Sequence, residues 1–312
     1  MKHIDWKNDA LLLFVVLVWG LNFSVVKSVL EVMHPHALNA FRFVVSALVL
    51  GGVHVARQRR AGRPVFEPLR THAAAIAGLG ILNFVLYQFC FIVGLDHTTA
   101  GNAALIMASS PLWTALTGRL LRLEVLSRGA WAGLLFILAG AAVIVLGGDG
   151  EIDFSSATFT GNLFMLAGSL FWGSYTALSR PVLRDVSATA LTFLTLLFGL
   201  PFLFGIAVPH LDEVRWASVT IWTGLAILFS GGLSTGLAVV IWNRAVHHVG
   251  ASHTAVYGNL TPVAALLFST LLLGEAITAV QVTGGAMILG GLVWMRTRAP
   301  TRLAATPDPR AT

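Results

Sequence analysis

Tryptophan, tyrosine, asparagine and serine residues interrupt the long apolar runs of this chain, where they could bind a small solute. Asn83 and Tyr87 are four residues apart, so they share one face of a helix, and Phe91 continues that face. Polar groups at the depth of a bilayer cost free energy and usually turn towards the protein interior. The predicted solute-binding residues are Trp19, Asn22, Asn83, Tyr87, Phe91, Trp172, Tyr175, Ser234, Tyr257 and Asn259.

Each of these side chains also has a structural interpretation. Aromatic residues near helix ends form the interfacial belt of membrane proteins, and serine or asparagine side chains bond neighbouring helices. Trp242 lies near a predicted helix end, so the belt is the favoured interpretation there. No nucleophile with a neighbouring base is predicted at one depth, which argues against an intramembrane enzyme.

Two prolines stand inside predicted helices at equivalent places, Pro111 and Pro262. Proline removes a helix hydrogen bond and disturbs the preceding turn, and inside a membrane the freed carbonyl needs another partner. We therefore predict a gating or cavity role for both prolines. A packing kink without a moving role is the alternative.

Two cations, Lys27 and Arg42, fall within or beside the outer ends of the first two predicted helices. A buried cation could bind a substrate carboxylate or phosphate. The favoured interpretation is structural: Lys27 extends to the interface, and Arg42 pairs with Glu31 or with backbone carbonyls.

Two carboxylates, Glu124 and Glu275, each end a long apolar helix just before the next one begins. A carboxylate there is predicted to bind the N-terminal amides of the following helix. Coupling to protons is the sharper alternative, but both residues lie near the water boundary.

The histidines form two groups, one with His34 and His36 and another with His247, His248 and His253. A metal site needs three or four converging ligands, and the topology below puts the groups on opposite faces of the membrane. The sequence therefore predicts no metal site and no cofactor.

The elements that position these residues are membrane helices. The chain has 312 residues, of which 56% are hydrophobic and 11% charged, too few charges for a soluble domain. A spanning helix needs about 20 mostly apolar residues. Ten such segments are predicted, at 10–30, 36–55, 72–94, 100–121, 129–147, 159–179, 188–208, 217–241, 251–273 and 277–295. The partner of these helices is the lipid bilayer, and residues 296–312 are predicted to be a disordered cytoplasmic tail.

The distribution of Lys and Arg predicts the orientation. With the loop at 56–71 in the cytoplasm, 17 of the 20 Lys and Arg residues fall on that side and three on the other. Both termini are then cytoplasmic and the chain is predicted to lie in the inner membrane. The net charge of +6 would suggest nucleic acid as a partner of a soluble protein, but here it is orientation charge, so no nucleic-acid partner is predicted.

The chain contains an internal repeat. Residues 99–143 match residues 250–294 without a gap at a spacing of 151, with identities that include Pro111/Pro262 and Glu124/Glu275. At a spacing of 153, Trp19 matches Trp172. Ten helices give five per copy, and because five is odd the second copy is inverted relative to the first. An inverted repeat is typical of transporters.

Three stretches carry a resemblance to a known family: WGLNF at 19–23, FRF at 41–43 and TPVAALLFSTLLLGEAITAVQVTGGAMILGG at 261–291. They resemble the EamA branch of the drug/metabolite transporter superfamily, over about residues 10–295. The resemblance implies an all-α protein with ten transmembrane helices in an inverted 5+5 repeat. It also implies a cavity lined mainly by predicted helices 1, 3, 4, 6, 8 and 9.

The resemblance implies export or exchange of a small organic metabolite, such as an amino acid, by alternating access. The two repeats are expected at 10–147 and 159–295. A sugar-phosphate or nucleotide-sugar exchanger is the alternative, and it would need two or more cations in the cavity. No Asp or Glu falls at mid-membrane, in contrast to the small multidrug branch of the superfamily. Substrate identity, coupling ion and oligomeric state stay open at this point.

Overall fold

The computed structural model describes residues 6–121, 127–147, 156–249, 257–258 and 260–297. Within this part of the chain every regular element is helical. Asn259, Glu124 and residues 298–312 of the predicted tail lie outside the described residues. The helices of the first half are α1 Trp6–Leu30, α2 Pro35–Arg60, α3 Leu69–Gly80, the π-helical segment π1 Ile81–Tyr87, α4 Gln88–His97, α5 Ala100–Met107, α6 Ser110–Leu120 and α7 Arg128–Gly147.

The second half follows the same plan. Its helices are α8 Ala157–Val182, α9 Ala188–Ala207, α10 Ile221–Leu228, the π-helical segment π2 Phe229–Ala238, α11 Val239–Val249, α12 Thr261–Leu273 and α13 Ala279–Thr297. Two short 3₁₀ turns, Val208–His210 and Trp216–Ser218, lie between α9 and α10. The runs α3–π1–α4 and α10–π2–α11 are each continuous, and they occupy equivalent places in the repeat.

Several helical runs are suited to a membrane. In the described part of the chain, six are long and apolar enough to cross a bilayer, at Asp9–Leu30, Pro35–Arg60, Leu69–His97, Gly129–Leu146, Ala188–His210 and Ile221–Ala245. Two shorter apolar helices follow at Thr261–Leu273 and Ala279–Trp294. This supports a multi-pass membrane protein, while the number of ten crossings stays a prediction.

Helix starts follow local capping chemistry. Thr99 accepts a hydrogen bond from the backbone N–H of Asn102 at 3.1 Å and so caps α5. At the start of α13, Thr278 and Gln281 form a reciprocal box: each side chain accepts from the other residue's backbone N–H, at 3.2 and 3.1 Å. These caps satisfy amides that the helices cannot satisfy internally.

Pro111 begins a helix instead of kinking the interior of one. The α5 helix ends at Met107, and α6 begins at Ser110 with Pro111 in its first turn. The carbonyl of Met107, which would accept from residue 111 in a continuous helix, accepts from the Ser110 hydroxyl. Pro262 occupies the same first-turn place in α12. The predicted need for a new carbonyl partner is therefore met by the residue just before Pro111.

The packing between the two halves is reciprocal. The α1 helix packs on α12, and the equivalent helix α8 packs on α6; α2 packs on π2, and the equivalent helix α9 packs on π1. Equivalent helices also pack on each other directly, α2 with α9 and α7 with α13, and α4 packs closely on α8. The α1–α12 and α2–π2 contacts thus have counterparts in the α8–α6 and α9–π1 contacts.

Equivalent helices run antiparallel where they meet. Along α2 and α9, Arg57 bonds Thr189 at 3.1 Å, while Gly51 contacts Phe193. Along α7 and α13, a Cβ on Gly140 would lie 2.7 Å from the carbonyl of Gly284, and one on Gly291 would lie 2.7 Å from the carbonyl of Gly133. Only glycine permits backbones to approach this closely.

Candidate functional site

Five of the predicted binding residues form one aromatic cluster. The Trp19 ring meets Trp172 edge-on with centroids 5.9 Å apart, and Trp172 contacts Tyr87 at 5.3 Å and Tyr175 at 5.6 Å. Tyr87 contacts Phe91 at 5.8 Å. These spacings are those of favourable aromatic pairs. The side chains come from α1, π1, α4 and α8, so the folded chain brings together residues that are up to 156 positions apart.

The cluster lies where the two halves meet. Trp19 and Trp172 occupy equivalent positions in the repeat, and their rings touch each other although α1 and α8 are not among the closely packed helix pairs. The glycine after each tryptophan lets its helix approach a neighbour. A Cβ on Gly20 would lie 2.6 Å from the Cβ of Ala264, and one on Gly173 would lie 2.5 Å from the carbonyl of Ser110.

Amide and hydroxyl groups border the cluster. The indole Nε1 of Trp19 donates to the backbone carbonyl of Ser234 at 3.1 Å. The Asn22 Oδ1 accepts from the Ser230 hydroxyl at 2.6 Å. Both bonds join α1 to π2, which places Asn22 and Ser234 beside the tryptophans. Asn83 is buried in π1, and its Oδ1 has no hydrogen-bond partner among the described residues.

Trp242 and Tyr257 lie in a neighbouring layer. Trp242 was expected at the interfacial belt, but it is buried at 7% exposure and its ring lies 5.0 Å from that of Trp19. Inward packing against α1 explains the difference. Tyr257 is half-buried, packs against the same cluster as Trp242 and Leu12, and lies beside Asp9. It makes no ring contact with Tyr87 or Trp172 among the pairs found in the described part.

The prediction of the partners of Arg42 is wrong. Among the described residues its guanidinium hydrogen-bonds neither Glu31 nor a backbone carbonyl; the Nη1 donates to the Asn39 Oδ1 at 3.0 Å. The side chain is 2% exposed, and its Cζ lies 5.6 Å from the Phe43 ring and 5.9 Å from the Phe91 ring. Arg42 therefore borders the aromatic cluster. The sequence analysis had favoured a structural role for this residue over binding of a substrate anion.

The structural interpretation of Lys27 agrees with the contacts. Its Nζ donates to the carbonyls of Leu95 and Asp96, each at 2.8 Å. These carbonyls end α4, where a cation is stabilised by the helix dipole. Lys27 thus ties the end of α1 to the end of the α3–π1–α4 run.

Glu275 caps a helix, but a different one from the helix that was predicted. It accepts from the backbone N–H groups of Ala100 and Gly101 at 2.9 and 3.0 Å, which begin α5 in the other half of the chain. The following helix α13 is capped by Thr278 instead. The expectation was right about helix amides and wrong about which helix, because tertiary packing and not sequence adjacency chooses the partner.

A histidine cluster joins two loops that the sequence analysis did not connect. The His34 and His210 rings stack 4.0 Å apart, His210 Nδ1 donates to Glu213 at 2.6 Å, and His34 Nε2 lies 3.6 Å from the same carboxylate. Burial, and then His210, lowers the pKa of His34. The hydrogen bond from His210 lowers the pKa of Glu213.

Donor atoms of His34, His210 and Glu213 all lie within 4.8 Å of one another, so these three residues could hold a metal ion. The ion pair and hydrogen bond among them already account for their positions, and Glu213 is half exposed. His210 and Glu213 were missed because they lie 176 and 179 residues after His34 in the sequence. The single signal in the sequence was the predicted topology, which puts both loops on the same face of the membrane.

Comparison with known proteins finds a matching protein family and full-length relatives. The model of the EamA-like transporter family matches residues 6–146 and again residues 159–297. The chain is 26% identical to the uncharacterized transporter YyaM of Bacillus subtilis, over 94% of both chains. It is 27% identical to a probable amino-acid metabolite efflux pump of Salmonella typhimurium, over 92% of this chain and 93% of that one.

A solved crystal structure has a similar fold. It superposes with a TM-score of 0.65 and 22% sequence identity, covering 93% of this chain and 96% of that chain. The similarity extends over both halves of the repeat, so the two folds match over nearly the full length of both chains.

Proposed function

Because the chain belongs to the EamA-like transporter family, we propose that it is a secondary transporter that exports a small, amino-acid-like metabolite by alternating access. Two inverted halves, residues 10–147 and 159–295, rock against each other and expose one shared site to each side of the inner membrane in turn. The family and the names of the relatives indicate a transporter and not an enzyme.

One observation carries the proposal: Trp19 and Trp172, which are equivalent in the repeat, meet between the halves. A site on the boundary of two halves changes its access when the halves rotate, whereas a site inside one half does not. The antiparallel contacts of α2 with α9 and of α7 with α13 support the inversion. The bias of Lys and Arg towards one side supports cytoplasmic termini.

The proposed substrate class follows from the walls of the site. Tyr87, Phe91, Trp172 and Tyr175 supply apolar and aromatic surface, while Asn22 and Ser234 lie at its border. Such a site suits a small organic molecule with apolar and polar parts. A relative named as a probable amino-acid metabolite efflux pump supports the same class. A sugar phosphate is less suited, because Arg42 is the one Lys or Arg side chain buried among the described residues.

Transport in proteoliposomes tests the proposal. We expect the wild-type protein to exchange at least one radiolabelled L-amino acid, and Trp172→Ala to lower the rate about tenfold or more, since a central aromatic anchor contributes about 2 kcal/mol to binding. The matched control is Trp222→Ala, because Trp222 is 75% exposed on the outer surface of the bundle.

Equal loss in the Trp172 and Trp222 variants would contradict a site at the boundary of the halves. The amount of folded protein in each preparation is measured by size-exclusion chromatography, so that a folding defect is not read as a transport defect. Absence of exchange for every amino acid, with exchange of sugar phosphates, would favour the alternative substrate class.

A further inference from the structure

Arg42 is a cation without a counter-charge inside the bundle. It lies in the second turn of α2, is 2% exposed, and ranks among the largest fully buried side chains of the described residues. No described carboxylate lies within 4.0 Å of its guanidinium. An uncompensated charge is expensive in a protein interior and more so at membrane depth, so it usually marks a functional site.

The hydrogen-bonding capacity of Arg42 is largely unused. A guanidinium has five N–H donors, and the Asn39 Oδ1 is the one described side chain that accepts from it. Its Nε is buried and has no partner in the described part of the chain. Asn39 is itself held by its Nδ2, which donates to the carbonyl of Gln88 at 3.1 Å. The amide therefore orients the guanidinium and leaves its remaining donors for a ligand.

Arg42 also adjoins the aromatic cluster. Its Cζ lies 5.9 Å from the Phe91 ring, and Phe91 contacts Tyr87. Two further buried acceptors on the same helical run, the Asn83 Oδ1 and the Gln88 Oε1, have no described partner. These groups match the parts of an amino acid: the cation matches its carboxylate, the two acceptors match its ammonium group, and the aromatic rings match its side chain.

We propose that Arg42 is the anion subsite of the transporter and binds the carboxylate of the transported metabolite. The inference rests on the proposed function and names its substrate class. A carboxylate suits the planar guanidinium because it accepts two parallel N–H bonds. A single cation balances a single negative charge, so a monocarboxylate fits better than a phosphate dianion.

The first experiment uses the unmodified protein. Purified wild-type protein is heated with each of the L-amino acids, and every acid that raises the midpoint of unfolding is compared with its own amide, which lacks the negative charge. Inorganic phosphate is tested in parallel. We expect each such amino acid to raise the midpoint of unfolding at a concentration about tenfold or more below that needed with its amide. The reason is that the amide lacks the charge-assisted hydrogen bond to the guanidinium. Equal stabilisation by amides, or stabilisation by phosphate alone, would overturn the proposal.

The second experiment changes the charged group at position 42. Arg42→Gln should abolish the preference for acid over amide, and Arg42→Lys should retain part of it. Arg57→Gln is the control, because Arg57 lies on the same helix, is exposed and bonds Thr189. The acid-to-amide ratio does not depend on the yield of folded protein. An unchanged ratio in Arg42→Gln contradicts the proposal, and if that variant does not fold, the wild-type comparison decides.

The two proposals fail differently. If proteoliposomes transport amides or amines as well as acids, the chain is still a transporter and only the role of Arg42 is refuted. If they transport no member of the panel, the proposed function itself fails.

Discussion

At the residue scale, the loop histidines give the chain a contact that depends on pH. His34 precedes α2 and accepts from the backbone N–H of His36 at 3.3 Å, which requires an unprotonated Nδ1. His36, His210, Glu213 and Asp96 are the titratable groups around it. Protonation of His34 breaks the bond from His36 and adds a charge beside His210.

We therefore expect acid to weaken the fold through His34. Its pKa is lowered in the folded state, so the neutral form is favoured, and its contribution is complete above the ordinary value of about 6.5 and is lost as the pH falls below it. The lowered pKa of Glu213 acts in the same direction at lower pH, where the carboxylate is protonated. The unfolding midpoint should fall between pH 7.5 and 5.0 by a larger amount in wild type than in His34→Asn, which keeps a capping oxygen but does not titrate.

The control for this measurement is His72→Asn, because His72 lies in the first turn of α3, 3.3 Å from Asp185 and outside the His34 cluster. It should keep the wild-type dependence on pH. If His34→Asn also keeps the full wild-type dependence, His34 is not the titrating group.

The sequence predicted the residues of the aromatic cluster better than it predicted the partners of the residues around it. Trp19, Tyr87, Phe91 and Trp172 were found from their type and position in apolar runs, because burial of such side chains follows from the bilayer. The partner of Arg42 could not be found in this way. Its position in α2 predicts a place near the outer edge of the membrane. Its contact with the Phe91 ring depends instead on how α2 packs against α4.

At the element scale, the break between α5 and α6 is a joint with its own hydrogen bonds. The Ser110 hydroxyl donates to the carbonyl of Met107, which Pro111 leaves without a helix partner, and Ser109 donates to the carbonyl of Ile106 through both its backbone N–H and its hydroxyl. The sequence indicated a proline disturbance but not these two hydroxyl bonds. The π segments were not predicted either, because ILNFVLY has no feature that distinguishes it from an α-helical sequence.

Pro111→Ala tests whether this joint moves during transport. An alanine N–H at position 111 can bond the Met107 carbonyl and extend one helix through residues 108–109. If bending is part of the cycle, the maximal rate of exchange should fall by about threefold or more while the half-saturating concentration changes little, as for a step after binding. Rates are measured over a range of substrate concentrations, and an equal change in both quantities would indicate packing damage instead.

Glycine positions in π2 test how closely α2 is packed against it. A Cβ on Gly231 would collide with the Arg42 carbonyl and lie 3.0 Å from the Val45 Cβ, whereas one on Gly232 would lie no closer than 3.6 Å to any neighbour. Gly231→Ala should therefore lower the free energy of unfolding by about 1–3 kcal/mol, the usual cost of overpacking. Gly232→Ala is the matched control and should change it by less than about 0.5 kcal/mol. Equal midpoints of thermal unfolding for both variants would mean that α2 and π2 are less tightly packed.

At the scale of the whole molecule, the repeat is visible in the packing as well as in the sequence. Gly80 contacts Thr195 and Gly231 contacts Arg42, so the equivalent glycines of π2 and the end of α3 touch equivalent residues of α9 and α2. The sequence predicted the duplication from identities at two spacings. It could not predict which helices of one half pack on the other, because those contacts depend on the shape of both halves together.

Placement of two introduced cysteines tests the inversion of the halves. Arg63 follows α2 and Asp212 follows the equivalent helix α9, and both are exposed, while the single native cysteine, Cys90, is buried. With Arg63→Cys, an impermeant maleimide should react only after spheroplasts are opened; with Asp212→Cys, it should react in intact spheroplasts. An inverted repeat puts equivalent loops on opposite sides, so reaction of both positions from one side would contradict it. Reaction of position 63 alone in intact spheroplasts would keep the inversion and reverse the assigned orientation, which would then disagree with the distribution of Lys and Arg.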